Sequence, residues 1–330
     1  MAAPNRNQHW VPQFYLKYFA TADTRDSGRP QIWAFPITEG DEFRTSVRNV
    51  AARRDLYGFC SPQVDQRLSE LEGMLGRFWP TISNEQYPID LGFKQGISLF
   101  IATLYMRHPA QLERQRRFVA SAAKALDQGP RDEQGRTLID RFSIRGTQYK
   151  VKPAELDIYR TMGDQEIQAS WGELILSESG ALARELVDRP WMVLVTEQRA
   201  FITTDYPVAL FNPTRRDAPI LHPDTTIYLP MSPTKLVVIN DDQRPGEIVQ
   251  IAPGGETVFN HIIFCSAYQH LFSSGKPIDV LKQVVPFGEW ASNESKRVRD
   301  EMTASIPWKV GRNDACYCGS GLKFKRCCGR

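Results

Sequence analysis

Four of the six cysteines fall between Cys316 and Cys328, inside the stretch GRNDACYCGSGLKFKRCCG at residues 311 to 329. Their spacing is Cys-x-Cys, then eight residues, then Cys-Cys. About twenty residues bury too little apolar surface to hold a fold against chain entropy. A tetrahedral Zn2+ can hold one, because the energy of binding at such a site is energy of folding. Cys316 and Cys318 would supply half of the shell and Cys327 and Cys328 the rest, with Gly319, Ser320 and Gly321 permitting the turn between them. Four thiolates leave no open coordination position, so the expected metal is structural rather than catalytic. Two disulfides, or four unrelated thiols, are the competing arrangement. Adjacent cysteines pair badly with each other, and isolated Cys60 and Cys265 do not extend a disulfide framework.

Around the cysteines stand Lys309, Arg312, Lys323, Lys325, Arg326 and Arg330 against one acid, Asp314. Four thiolates around Zn2+ make an anionic centre that several of these cations offset. The same cations also form a basic face for an acidic protein, ribosomal RNA or anionic lipid, and the residues alone leave both roles open. The tail resembles the SEC-C motif, found at the C-terminus of the preprotein-translocase motor and on many unrelated bacterial proteins. The likeness runs through Arg-Asn-Asp, Cys-x-Cys-Gly-Ser-Gly and Lys-x-Lys-x-Cys-Cys-Gly. It implies that Cys316, Cys318, Cys327 and Cys328 are the zinc ligands, with Cys328 at a position often held by His. In the translocase motor the related element is a docking module, so docking is the role implied here.

Any chemistry in the body depends on the elements that position it. NQHWVPQFYLKYFA (7–20) places Trp10, Phe14, Tyr15, Leu16, Tyr18 and Phe19 where a terminus is usually expendable. These residues should dock on the core as a short helix after Pro12, with His9 fixed just before it. QIWAFPI (31–37) and FRTSVRNVA (43–51) flank TEGDE and read as a hairpin. Val64, Leu68, Leu71, Leu75, Phe78 and Ile82 alternate in steps of four and three, the stripe of a half-buried helix. Leu91 to Arg107 is apolar nearly all round and belongs in the core. Pro109 disfavours helix at His108, so a further helix begins there and runs to about Leu126. DQGPRDEQGR is a surface loop. Glu155 to Val187 carries Ile167, Trp171, Leu174, Leu182 and Leu186 at helical spacing, with a break expected near Gly180.

From residue 190 the period changes. WMVLVT, AFITTD, VALFN, TIYLPM and KLVVIN are short β-rich runs that predict an antiparallel meander. TVFNHIIFCSAYQHLF reads as a helix whose apolar positions also admit some strand, and a short helix is expected near 277 to 284. The fold class is α+β: a helix-rich N-terminal half, an antiparallel β meander in the second half, and a small C-terminal zinc knuckle. The expected boundaries are a body over 1–290, a linker over 291–308 and the tail over 309–330.

The body resembles an uncharacterised family, domain-of-unknown-function family 4238. Its members begin Asn-x-His-x-x-Pro-x-x-Tyr-Leu-x-x-Phe, matched here from Asn7 to Phe19. The likeness continues in NVAARRDLYGF, YMRHP, WMVLVTEQRAFITTDYPV and IYLPMSP and around Asn260. The family often has Ser-Asp-Asn-Pro where this chain has Thr204-Asp205-Tyr206-Pro207, so Tyr206 replaces an amide. The resemblance implies kinship without a mechanism. The polar groups in the matched segments are His9, Arg107, Asp205 and Asn260, with His261 beside the last. Converged, His9, Asp205 and Asn260 would hold a divalent metal while Arg107 binds a phosphate, which suits a phosphodiester hydrolase. The same groups also make a buried hydrogen-bond network that fixes the N-terminal segment.

At 330 residues, 42% apolar and 24% charged, the chain has an ordinary globular composition. A net charge of +3 excludes a general polyanion binder, so nucleic-acid affinity must come from a local patch. The opening MAAPNRNQHW lacks a signal-peptide pattern, and GISLFIATLYM is about half of a bilayer span. Both predict a cytoplasmic location with no membrane-spanning segment. Two functions follow. One is a zinc-binding protein whose tail docks on a protein, ribosome or nucleic-acid partner. The alternative is a metal-dependent hydrolase, a nuclease or phosphodiesterase of toxin or phage-defence type, with its site near His9, Arg107, Asp205 and Asn260.

Overall fold

The computed structural model describes residues 7–37, 41–57, 62–144, 147–150, 152–214, 218–240, 244–276, 313 and 323–326. The chain divides into two units, 1–280 and 281–330. Cys60, the four tail cysteines with their zinc knuckle, the linker and the helix expected near 277 to 284 lie outside the described residues. The architecture that follows is that of the first unit.

β1 (Asn7–His9) leads into α1 (Gln13–Leu16), which Pro12 enters at φ −61°, a torsion its ring fixes. Val11, Tyr15, Leu16 and Phe19 are fully buried, as the aromatic clustering predicts. β2 (Gln31–Pro36) and β3 (Phe43–Ser46) form the expected hairpin, Gln31 opposite Ser46 and Ala34 opposite Phe43. β4 (Ala52–Arg54) returns to β1 and puts Ala52 opposite His9.

α2 (Pro62–Ile82) buries Val64, Leu68, Leu75 and Ile82, but Phe78 is 61% exposed. Trp79 takes the inward place at 0% exposure, with its ring edge-on to Phe14, Tyr15 and Phe100. Its Nε1–H donates to the Met231 carbonyl at 3.3 Å. The buried stripe therefore runs i, i+4, i+11, i+15, a fraction of a turn away from the strict four-three reading. An indole buries about 150–250 Å², or about 4–6 kcal/mol of transfer energy, which decides the rotation.

α3 (Leu91–Met106) is core. Its first turn is capped by Asp90, whose carboxylate accepts the Phe93 N–H at 2.7 Å, and Ile97, Phe100, Ile101 and Leu104 are buried. α4 (Pro109–Gln128) starts at the predicted bend, with His108 Nδ1 accepting the Ala110 N–H at 3.1 Å. After the polar loop comes a hairpin that the sequence reading lacks, β5 (Arg141–Ile144) with β6 (Thr147–Lys150). Four-residue strands are too short to show a period. α5 (Pro153–Leu156) and α6 (Ile158–Thr161) precede α7 (Asp164–Val187), which passes through Gly180 without the expected break. Leu182, Ala183 and Leu186 beyond it are buried, and that packing offsets the weak helix propensity of glycine.

The strands of the second half do not form a single meander. β7 (Trp191–Val195), β8 (Thr203–Thr204), β9 (Ala209–Phe211), β10 (Thr226–Ser232), β11 (Lys235–Ile239) and β12 (Ile248–Gln250) divide between two sheets. One has the order β12-β7-β11-β10-β9 and is antiparallel except for β12, which lies parallel to β7. The run AFITTD leaves it. α8 (Glu256–Ser266) is followed by β13 (His270–Ser273), and β8 joins the N-terminal hairpin through β13 in the order β3-β2-β13-β8. TVFNHIIFCSAYQHLF is thus helix and then strand. The helix stops because the Asp205 carboxylate takes the N–H groups of residues 268–270, which a longer helix would give to its own carbonyls. Cys265 is exposed on α8 rather than packed inside. The fold is α+β. Among the described residues, no helix is long and apolar enough to cross a membrane.

Candidate functional site

Asp205 directly follows β8, at a strand end. Its side chain is fully buried, and the carboxylate accepts N–H groups from Tyr268 at 2.8 Å, Gln269 at 2.8 Å and His270 at 3.2 Å. Burial pushes the carboxyl up to about 6, against the pull of those donors. The Asp205 backbone carbonyl accepts the Trp10 indole N–H at 2.7 Å. The Trp10 carbonyl in turn accepts from Arg107 Nε at 2.7 Å. Arg107 is 1% exposed at the end of α3 and gives Nη1 to Glu72 at 2.7 Å. It therefore does more than complement the helix dipole. Trp10 is the joint, its ring holding the strand end and its backbone holding the arginine.

His9 Nε2 lies 3.1 Å from the Arg48 carbonyl, so the proton sits on that nitrogen. Burial lowers its pKa, opposed by the Arg48 carbonyl and by the Glu72 carboxylate nearby. The backbone carbonyl of His9 accepts the Tyr57 hydroxyl at 3.2 Å. Asn260 belongs to a different neighbourhood. Its Oδ1 accepts the Ile202 N–H at 3.1 Å and its Nδ2 donates to the Ala200 carbonyl at 2.8 Å, so one amide clamps the segment entering β8. His261 is half-buried on the same helix, and burial lowers its pKa. His9 and Arg107 thus share Glu72 as a neighbour, Asp205 is joined to Arg107 through Trp10, and Asn260 holds separate backbone. Among the described residues, no group of three or more His, Cys, Asp or Glu is arranged to hold a metal.

Sequence reading missed several participants. Glu72 stands four residues after buried Leu68, at the edge of the α2 stripe, where an inward carboxylate is signalled. His108 stacks on Tyr206 with ring centroids 3.9 Å apart, and burial pushes its pKa down to about 3. Tyr206 thus fills with a ring the place where the family often has an amide. A cavity of about 240 Å³ lies elsewhere, between the end of α2 and the β10–β11 turn, with Arg25 and Arg199 in its wall. None of His9, Arg107, Asp205 or Asn260 lines it.

A family model described as a protein of unknown function (DUF4238) matches residues 7–277. The chain belongs to this family. Beyond the DUF4238 region, a SEC-C motif matches residues 312–330. Short stretches are similar to curated proteins. Protein translocase subunit SecA of Syntrophotalea carbinolica is 64% identical over 33 residues, 10% of this chain and 3% of SecA. UPF0225 protein VP1145 of Vibrio parahaemolyticus is 49% identical over 43 residues, 13% and 24% of the two chains. UPF0225 protein VV1358 of Vibrio vulnificus is 81% identical over 21 residues, 6% and 13% of the two. The chain therefore spans less than a quarter of the length of each of these relatives. No solved structure matches it.

Proposed function

We propose that this chain is a two-part cytoplasmic protein in which a DUF4238 body, over 1–290, is brought to its partner by a zinc-ordered tail at 309–330, across a linker at 291–308. The observation that carries the reading is the SEC-C match over 312–330, with four cysteines in it. The donor set fits zinc, since Cys316, Cys318, Cys327 and Cys328 supply the soft, complete thiolate shell of a structural site. Zinc there supplies folding energy and no open position for substrate. A reducing compartment keeps the thiols available. The basic residues from Lys309 to Arg330 then face an acidic protein surface or ribosomal RNA. The similarity of short stretches to SecA and to UPF0225 proteins supports a portable module that is separate from the body's chemistry.

For the body, the bonds of Arg107, Asp205 and Asn260 support the network role. The hydrolase alternative requires Asp205 and Asn260 to leave backbone partners when substrate arrives, whereas Arg107 keeps Nη2 without a partner among the described residues. The test is direct. Purified protein should carry about one zinc per chain, lost when all four tail cysteines become serine. Ribosome co-sedimentation and capture of protein partners should fail for a chain ending at residue 308 while its circular dichroism is unchanged. Undiminished binding by that truncated chain would overturn the docking role, and four oxidised thiols without metal would overturn the zinc.

A further inference from the structure

We infer that the cavity between the end of α2 and the β10–β11 turn binds a small phosphate-bearing molecule, gripped by Arg25 and Arg199. Its wall carries two guanidiniums and the hydroxyls of Tyr18, Ser83 and Thr234 around about 240 Å³. That volume lies below the range of drug-sized pockets, about 300–1,000 Å³, and suits a phosphate with at most a small organic group.

Both arginines are held in place. Arg25 sits on a turn closed by the Thr24 and Arg25 N–H groups, which both donate to the Thr21 carbonyl. Arg199 gives Nη2 to the Tyr18 carbonyl at 3.1 Å. The next residue, Ala200, is fixed by its N–H to the Pro233 carbonyl at 3.0 Å and by the Asn260 amide on its own carbonyl at 2.8 Å. Asn260 is thus a positioning residue for this wall.

The charges are not balanced internally. Neither arginine forms an ion pair among the described residues. Arg25 Nε is buried with no hydrogen-bond partner, and a buried donor left unpaired is unfavourable. Burial, and then the charge of Arg25, lower the pKa of Arg199 to about 10. Glu85 also lines the cavity; its carboxylate accepts the Thr234 hydroxyl and forms no ion pair with either arginine. The two guanidiniums are left for a ligand. A phosphate offers both of them paired oxygens, whereas a lone carboxylate has too few oxygens for both forks.

The test is calorimetric titration of the full chain with inorganic phosphate, ribose 5-phosphate and malonate. Phosphate probes should bind at Kd on the order of 1 mM or tighter. Equal binding of the two phosphate probes identifies free phosphate as the ligand, and tighter ribose 5-phosphate identifies a monoester. Arg25→Gln and Arg199→Gln should each weaken binding about tenfold or more, Arg199→Lys should fall between, and the remote Arg136→Gln should bind like wild type. Melting curves check that each variant folds; should one arginine variant fail, the other still reads the site. The inference is overturned by tighter malonate binding, by affinity unchanged in folded arginine variants, or by no phosphate binding at about 10 mM.

Discussion

Replacing Asp205 by Asn tests whether this buried acid holds the backbone of residues 268–270. Its Oδ2 receives the Gln269 and His270 N–H groups and its Oδ1 receives that of Tyr268. An amide can keep its oxygen where two donors converge, but its NH2 must then face the Tyr268 N–H, 2.8 Å from the present Oδ1. The Tyr268 N–H loses its acceptor and the new NH2 finds none, two unsatisfied buried donors at about 1–3 kcal/mol each, so Asp205→Asn should cost about 2–6 kcal/mol. The pH dependence has a definite sign. Burial holds the native carboxyl up to about 6, above its unfolded value, so the native state binds the proton more tightly. This contribution is fully present below about pH 4 and is lost as pH rises through 6; two units of difference make it about 3 kcal/mol. Urea titrations of both proteins at pH 4.5 and pH 7 measure it. The wild-type advantage should be larger at pH 4.5. A variant within about 0.5 kcal/mol of wild type at pH 7 would refute the clamp, being no more than a neutral surface change. An advantage that shrinks towards pH 4.5 would show that the three N–H donors outweigh desolvation.

The remaining predictions concern packing. Trp79→Ala should cost about 3–5 kcal/mol by chemical denaturation, whereas Phe78→Ser, at the exposed neighbour, should stay within about 0.5 kcal/mol. Gly180→Ala should raise stability by about 0.5–1 kcal/mol, since a Cβ there meets nothing within 4 Å and the helix is continuous. Gly172→Ala should destabilise in the same assay, because its Cβ would meet Val64 Cγ2 at 3.0 Å. Lys235 donates to the Ile82 and Asn84 carbonyls from a fully buried position. Lys235→Met should therefore cost about 2–4 kcal/mol. Burial lowers the Lys235 pKa to about 8, so wild-type stability should rise with pH from about 8 to 10, where only the unfolded chain keeps that proton, and the variant should lack the rise.

The helices α2, α3, α4 and α7 were legible because each has enough turns for a 3.6-residue period to show, and the bend at His108 because Pro109 dictates it. The docked N-terminus was legible in its aromatics. The sheet exchange was not, since β8 is two residues long and its partner β13 lies far along the chain. No local pattern records such a pairing. Trp79 displaced Phe78 by bulk and by an indole N–H that finds the Met231 carbonyl, a partner known only in three dimensions. Asp205 was legible as a strand-end polar group, but its three backbone donors come from residues 268–270, whose turn it creates. Nothing in the sequence around Arg25 marks it out. Only the return of the chain at Arg199 and Ser83 makes the place concave and cationic.

The joint at Trp10 also sets an order of assembly during synthesis. Its indole waits for Asp205, 195 residues later, and the Tyr15 hydroxyl waits for the Pro230 carbonyl, 215 residues later. At about 5–20 residues per second the ribosome takes about 10–40 s to deliver the first of these partners. Through that interval Trp10, Tyr15 and Phe19 have no final place to pack, and the nascent chain presents a sticky aromatic segment. A holdase that meets this segment early, or slow codons that lengthen the wait, would change the folded yield without altering the finished core.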